Sequence, residues 1–230
     1  MSKFHERTFP GESEAYRAAR NELLQAEIDL RQRTEQVAAL RRKLPVGAAV
    51  SQDYVFDEID ISASSVKEVR LSELFDDGKD TLIVYGFMYG PEWEAPCSSC
   101  TSITDSSNGI APHVRARTNF VVVAKAPAEK LMALGTARGW KNIRFLSSFR
   151  STFNADYLAQ FQGKWGEHHP LINVFVRRET EIHHFWASEM LFAPCEGHPR
   201  HADLVWPLWN WLDMTPEGRG DFMPKLDYNP

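Results

Sequence analysis

The sequence predicts an α/β protein with a mixed central sheet, preceded by one long helix. Apolar segments typical of buried strands alternate with helical segments between residues 82 and 146, which is the pattern of βαβ units. Two further apolar segments, 171–176 and 181–186, are separated by a four-residue turn and predict a hairpin. Residues 12–44 place apolar side chains at close to a 3.5-residue repeat, which predicts the long helix.

Composition and charge limit the classes of partner. The 230-residue chain has a net charge of -5 and is 43% hydrophobic. It can therefore bury a sizeable core, and it lacks the basic excess that nucleic acid or an anionic membrane would select. No apolar run approaches the roughly 20 residues of a transmembrane helix, and the N-terminal residues do not resemble a secretory signal. We expect a cytoplasmic protein that binds neither nucleic acid nor membranes.

The long helix is predicted to begin at the candidate N-cap Ser13 and to end before Pro45. Its apolar stripe is interrupted, so packing along its own domain and pairing with a second copy of the chain are equally compatible with it. A homodimer through this helix therefore stays open. We predict two regions: a helical arm over residues 1–47, and a domain over residues 48–230 that ends in a tryptophan-rich tail.

The elements of the second region follow from short patterns of strand and helix formers. Residues 152–166 have weak periodicity and are predicted as a mixture of helix and loop. In the tail, the spacing of the tryptophans suits core filling. Strands are predicted at 54–56, 69–71, 82–88, 119–124 and 143–146, helices at 72–75 and 128–138, and core tryptophans at Trp206, Trp209 and Trp211.

One stretch combines a buried strand, a cysteine pair and a helix. Strand 82–88 leads through a short loop to Cys97-Ser98-Ser99-Cys100. A cysteine in the first turn of a helix lies beside unpaired backbone N–H groups and the positive end of the helix dipole, which lower its pKa. Cys97 is therefore the predicted nucleophile. Cys100, one helical turn further on, is the predicted resolving thiol.

Residues around the cysteine pair have predicted roles of their own. Trp93 suits a substrate-binding surface that shields the Cys97 thiolate, and it suits a core position equally well. Glu92 and Glu94 would oppose formation of the thiolate if they lay close to it. Ser98 and Ser99 would favour the thiolate through their hydroxyls and backbone amides.

The order of these elements is that of a thioredoxin-like fold, a three-layer sandwich with a mixed central sheet. A strand–CxxC–helix unit is followed by an antiparallel hairpin that is entered through Pro170. Proteins of that fold carry a cis proline before the strand that faces the thiols, and Pro170 stands at the matching position. Only X-Pro bonds adopt cis at low cost. We predict a cis Pro170 that contributes to substrate binding.

The long N-terminal helix, the run LIVYGFMYGPEWEAPCSSC and the closing LDMTPEGRG together resemble the thioredoxin-like domain-of-unknown-function family 899. Members of this family are described as predicted dithiol-disulfide oxidoreductases. The resemblance extends from about Tyr16 to Gly220. It implies a thioredoxin fold with an N-terminal extension and says little about the substrate, since the family activity is itself inferred from fold and cysteines.

Two rival hypotheses use the same cysteines. A thiol peroxidase on this fold would carry Pro-x-x-x-Thr-x-x-Cys before its reactive cysteine, and neither Cys97 nor Cys100 is preceded by that motif. A non-enzymatic binding or scaffold protein could instead hold a metal through Cys195, His198 and His201, in a Cys-x-x-His-x-x-His run. A surface loop with solvated imidazoles is the simpler interpretation of that run.

The sequence therefore predicts a thiol-disulfide oxidoreductase that acts through Cys97 and Cys100. Its expected partner is a disulfide-containing protein or a small-molecule thiol substrate. Neither a metal nor another cofactor is expected. Cys195 is expected to be a small buried residue or a surface thiol rather than a third redox partner.

Overall fold

The computed structural model describes residues 4–163, 166–194 and 200–228. The chain divides into two units, residues 1–45 and residues 46–230. In its described part, the first unit consists of helix α1 (Glu14–Arg42) and the residues that flank it. The second unit contains the sheet and every cysteine that the structure describes.

Helix α1 begins as its sequence predicts. The Ser13 hydroxyl accepts a hydrogen bond of 3.2 Å from the backbone N–H of Tyr16, which satisfies one of the unpaired donors of the first turn. Arg41 and Arg42 lie in the last turn, where positive charge complements the helix dipole. Pairing of α1 with a second copy stays a prediction.

The second unit is built around a mixed sheet. Its three central strands, β3, β4 and β5, run parallel, and all other neighbouring pairs are antiparallel. Seven strands lie in the order β2-β1-β5-β4-β3-β8-β9, while β6 and β7 form a separate hairpin. The strands are β1 (Val55–Asp60), β2 (Ser65–Arg70), β3 (Thr81–Phe87), β4 (Asn119–Ala124), β5 (Arg144–Ser147), β6 (Gln160–Gly163), β7 (Gly166–His168), β8 (Ile172–Arg178) and β9 (Glu181–Ala187).

Both faces of the central strands are covered, which explains their nearly continuous apolar sequences. Because side chains alternate between faces, Leu82 and Val84 of β3 join one buried cluster, and Tyr85 and Phe87 join the other. Three described helices cover the face of the sheet that carries Tyr85, and two short ones cover the face that carries Leu82. These helices are α2 (Ser98–Arg115), α3 (Ala128–Arg138) and α5 (Leu208–Leu212) on the Tyr85 face, and α4 (Phe153–Asp156) with the 3-10 helix Leu71–Leu74 on the other.

The strand order confirms the predicted thioredoxin-like fold. Strand β3, helix α2 and strand β4 form the βαβ unit that carries the cysteine pair, and β8 and β9 return beside β3 as the predicted antiparallel hairpin. The predicted bounds of β4 and α3 are those observed. Among the described residues, no helix combines the length and the apolar character needed to cross a bilayer.

Three expectations differ from the structure. Residues 160–163 and 166–168 form a hairpin rather than helix and loop, and their mixed polar sequence gives no clear period-2 signal. Strand β2 is longer than predicted because most of its side chains face solvent and carry no apolar pattern. Trp211 is 68% exposed, whereas Trp206 and Trp209 fill the core as predicted, each 1% exposed.

Asn119, at the start of β4, fixes the start of the strand that leads to the cysteines. Its buried side chain donates hydrogen bonds to the carbonyls of Lys79 (3.1 Å) and Thr81 (3.0 Å). It also accepts one of 3.0 Å from the backbone N–H of Asp76. Three backbone groups before and within β3 are thus satisfied by one side chain, as buried polar groups require.

We expect Asn119→Ala to lower the free energy of unfolding by about 2 to 4 kcal/mol, because it removes three hydrogen bonds that a buried side chain makes to backbone groups. The measurement is urea-induced unfolding. Asn142→Ala is the matched control, since the Asn142 amide group is exposed and donates one hydrogen bond of 3.1 Å. Equal losses in the two variants would contradict this assignment.

Candidate functional site

The cysteine pair lies at the start of α2, directly after the loop that follows β3. Cys97 is the N-cap residue, and its sulfur accepts a hydrogen bond of 3.5 Å from the backbone N–H of Cys100. Its own N–H donates to the Met88 carbonyl at 3.1 Å, which closes the loop between residues 88 and 97. The local sequence therefore places both sulfurs in the first turn, as predicted.

The two thiols differ in access to solvent. Both are free, and Cys97 is partly exposed while Cys100 is 1% exposed. Cys100 packs in the apolar cluster on the Tyr85 face of the sheet, and Cys97 packs against the edge of that cluster. Cys97 is therefore the more accessible residue of the pair, and Cys100 is closed off from solvent.

The more exposed thiol, Cys97, is also the more acidic of the two. The pKa of Cys97 is lowered to about 6, chiefly by the hydrogen bond from the Cys100 thiol. Burial opposes this shift. Hydrogen bonds from the backbones of Cys100 and Ser99 and from the Ser99 side chain lower the pKa further. Burial and the neighbouring Cys97 thiolate raise the pKa of Cys100 well above its ordinary value. One of the two sulfurs carries the negative charge while the other keeps its proton.

The acidic residues of the preceding loop matter less than predicted. Glu92 and Glu94 are both exposed, and neither is a principal cause of the lowered pKa of Cys97. Ser99 contributes as predicted, through both its backbone and its hydroxyl. Hydrogen bonds at the helix start therefore outweigh the carboxylates nearby in sequence.

Lys130 of α3 holds the loop in place. Its ammonium group donates to the carbonyls of Pro91 (2.7 Å) and Trp93 (2.9 Å). It also lies 5.6 Å from the centre of the Tyr89 ring. No pattern in the sequence predicts this contact, because Lys130 lies on another helix and its position resembles that of any solvated lysine.

Trp93 packs against a buried histidine at the end of β7. Its ring meets that of His168 edge to face, with centroids 5.3 Å apart. His168 is 4% exposed, and burial lowers its pKa, so the neutral imidazole is favoured. The partly exposed Trp93 thus has a packing partner, while its predicted contact with substrate stays a prediction.

Pro170 lies close in the chain to the contact between β3 and β8. The backbone N–H of Gly86 donates to the Leu171 carbonyl at 2.7 Å, and Tyr85 pairs with Ile172. The Pro170 segment therefore runs beside the carboxyl end of the strand that leads to Cys97. Its predicted role in substrate binding stays a prediction.

The described residues contain no group of three or more histidine, cysteine or acidic side chains that could hold a metal. Cys195 and His198 of the predicted run lie outside the described residues, and His201 lies in the 3-10 helix Arg200–Ala202. On β9, His184 interacts with the Asn173 side chain at 2.9 Å, and His183 with the Gly47 carbonyl at 3.1 Å.

Comparison with known proteins gives a family and distant structural similarities. The model of the family described as "Bacterial protein of unknown function (DUF899)" matches residues 6–228. No curated protein matches the chain in sequence.

Several solved structures to which the chain is distantly similar are peroxiredoxins. A reduced Plasmodium vivax 2-Cys peroxiredoxin is 15% identical, with a TM-score of 0.44 over 59% of this chain and 81% of that one. Peroxidoxin BcpB from Mycobacterium tuberculosis is 20% identical, with a TM-score of 0.43 over 71% and 94%. A Xylella fastidiosa PrxQ mutant is 10% identical, with a TM-score of 0.49 over 74% and 96%.

We expect Cys100→Ala to raise the pKa of Cys97 by about 1 to 2 units, because it removes the main hydrogen bond to the thiolate. The measurement is the pH dependence of alkylation by iodoacetamide, in a Cys195→Ser background. Cys100→Ser is the control that keeps a hydroxyl donor, and it should shift the midpoint less. An unchanged midpoint in Cys100→Ala would show that the backbone amides alone set the acidity.

We expect Gly90→Ala to destabilise the loop, because a Cβ at this position would lie 2.3 Å from His168 Nε2 and 3.2 Å from Trp93 Cδ1. The expected loss of unfolding free energy is about 1 to 3 kcal/mol, measured in urea. Gly109→Ala in α2 is the control. An added Cβ there has nothing within 4 Å, and helix propensity predicts a gain of about 0.5 to 1 kcal/mol. A Gly90→Ala protein as stable as the parent would contradict this packing.

Proposed function

The chain belongs to the family of bacterial proteins of unknown function 899, and we propose that it is a thiol-disulfide oxidoreductase with Cys97 as nucleophile and Cys100 as resolving thiol. The observation that carries the proposal is the difference between the two sulfurs. Cys97 is partly exposed and has a pKa of about 6, while Cys100 is buried and stays protonated beside it.

The first step suits a partly exposed thiolate. With a pKa of about 6, Cys97 is mostly ionised at neutral pH, whereas an unperturbed cysteine is mostly protonated. The Cys97 thiolate attacks one sulfur of a substrate disulfide, forms a mixed disulfide with that half and releases the other half as a thiolate. The attack removes the charge from Cys97 and leaves the two halves of the substrate separated.

The second step uses the buried thiol. Cys100 loses its proton to solvent and attacks the Cys97 sulfur of the mixed disulfide, releasing the second half of the substrate as a thiolate. The substrate gains two electrons, and the protein is left with a Cys97–Cys100 disulfide that an external dithiol must reduce. In the cytoplasmic compartment expected from the sequence, the reducing environment favours this direction.

We expect Cys97→Ser to abolish reduction of a protein disulfide, with insulin as substrate and dithiothreitol as reductant. Cys100→Ser should instead accumulate a mixed disulfide with substrate, because the attacking thiolate of the second step is gone. Mass spectrometry of the trapped protein measures this species, and Cys195→Ser is the matched control, expected to keep activity.

Three outcomes would contradict the proposal. Retained activity in Cys97→Ser would remove its nucleophile. Consumption of hydrogen peroxide much faster than disulfide reduction would favour the rival thiol peroxidase. Stoichiometric zinc without either activity would favour a binding or scaffold protein whose cysteines hold a metal.

A further inference from the structure

Tyr85 of β3 has a buried hydroxyl without an ordinary partner. The side chain is 2% exposed and belongs to the same buried cluster as Cys100. Its hydroxyl is shielded from solvent and makes no hydrogen bond of normal geometry to any residue in the described ranges. A buried polar group left unpaired costs free energy, so its place in the core calls for a physical reason.

The group beside this hydroxyl is the resolving thiol. Tyr85 and Cys100 pack in the same buried cluster and each affects the pKa of the other, and burial first, then the two cysteines, raise the pKa of Tyr85 well above its ordinary value. The phenol therefore keeps its proton under all ordinary conditions. Towards a neighbouring sulfur anion it can act only as a hydrogen-bond donor.

Few groups determine the pKa values of Tyr85 and Cys100. Among the described residues, Cys100 and Cys97 are the ionisable groups that raise the pKa of Tyr85. Cys100 is affected chiefly by burial, by Cys97, by Tyr85 and by the backbone of Met88. Glu92 of the loop and Lys130 of α3 are not among the causes of this raised pKa.

The second step of the proposed reaction requires a negative charge on the buried Cys100 sulfur, close to Tyr85. Cys100 must become a thiolate in an apolar cluster, and burial opposes any charge there. In the mixed disulfide Cys97 is bonded to the substrate sulfur and carries no charge, so it no longer opposes ionisation of Cys100, but burial still does. A donor close to the Cys100 sulfur would stabilise the anion in place of the solvation that burial removes.

We propose that the Tyr85 hydroxyl donates a hydrogen bond to the Cys100 thiolate in the mixed disulfide and so promotes the resolving attack. This inference rests on the proposed function and adds a residue to it. The phenol keeps its proton throughout. The Cys100 proton passes to solvent, the new sulfur–sulfur bond forms between Cys100 and Cys97, and the bond from Cys97 to the substrate breaks with release of a thiolate.

The test separates the two steps with Ellman's reagent, whose two halves are released as a coloured thiolate. In a Cys195→Ser background, reaction of Cys97 releases the first equivalent, and the attack of Cys100 on the mixed disulfide releases the second. Stopped-flow absorbance follows both phases from pH 5 to pH 10. The pH midpoint of the second phase reports the pKa of Cys100 in the mixed disulfide.

We expect Tyr85→Phe to move the midpoint of the second phase upward by about 1 to 2 pH units, the usual effect of losing one hydrogen bond to a charged group. Below the midpoint, the second phase should slow roughly 10- to 100-fold at constant pH. The first phase should keep its pH dependence, because Tyr85 is not a principal cause of the lowered pKa of Cys97.

Tyr157→Phe is the matched control. Tyr157 also loses only a hydroxyl, but it packs in the cluster on the opposite face of the sheet, and its variant should leave both phases unchanged. Tyr85→Phe keeps the packed ring and removes an unpaired hydroxyl, so we expect its thermal midpoint to be no lower than that of the parent.

The outcomes distinguish this inference from the function on which it rests. A second phase that is present in the parent and unchanged in Tyr85→Phe would overturn the role of Tyr85 and leave the oxidoreductase proposal standing. A parent protein that never releases the second equivalent would overturn both. A raised midpoint in Tyr85→Phe together with an unchanged Tyr157→Phe would support the inference.

Discussion

The hydrogen bond at the first turn of α2, which Cys97 accepts from the backbone of Cys100, is the interaction on which the site depends. Helices usually begin with serine, threonine, aspartate or asparagine, whose oxygen atoms accept the free N–H groups of the first turn. A neutral thiol is a weak acceptor, but a thiolate is an anion at the positive end of the helix dipole. Capping the helix and ionising Cys97 therefore stabilise each other, so one sequence position serves both the fold and the proposed chemistry.

The sheet keeps this helix start in place. β3 lies between β4 and β8 at the centre of the sheet, and its two faces are buried in different clusters. The Asn119 side chain hydrogen-bonds to the backbone at the start of β3. Lys130 donates to two carbonyls of the loop that follows β3. A reactive loop on a rigid scaffold is a common arrangement, because positional precision comes from the packed elements rather than from the loop itself.

The parts that sequence could predict are those that depend on neighbours in the chain. β4 follows from a continuous apolar run, and the place of Cys97 at the start of α2 follows from a cysteine pair that comes directly after a buried strand and a short loop. Lys130 and Tyr85 contact the site from another helix and from a strand interior, and in sequence they look like a solvated lysine and an ordinary core aromatic. The prediction that Trp211 fills the core is wrong for a related reason. Its spacing in sequence matches that of the buried Trp206 and Trp209, but the tertiary packing leaves its side chain exposed to solvent.

The chemistry of the pair explains why a phenol suits the place beside Cys100. A buried carboxylate there would bring a second negative charge close to the Cys97 thiolate, and that charge would raise the pKa of Cys97 and reduce its reactivity. A lysine or arginine would need a counter-charge of its own in an apolar cluster. A phenol that stays protonated adds no charge in either step. In the proposed reaction, with Tyr85 in this position, the site would stabilise one negative charge at a time, first on the sulfur of the partly exposed Cys97 and then on that of the buried Cys100.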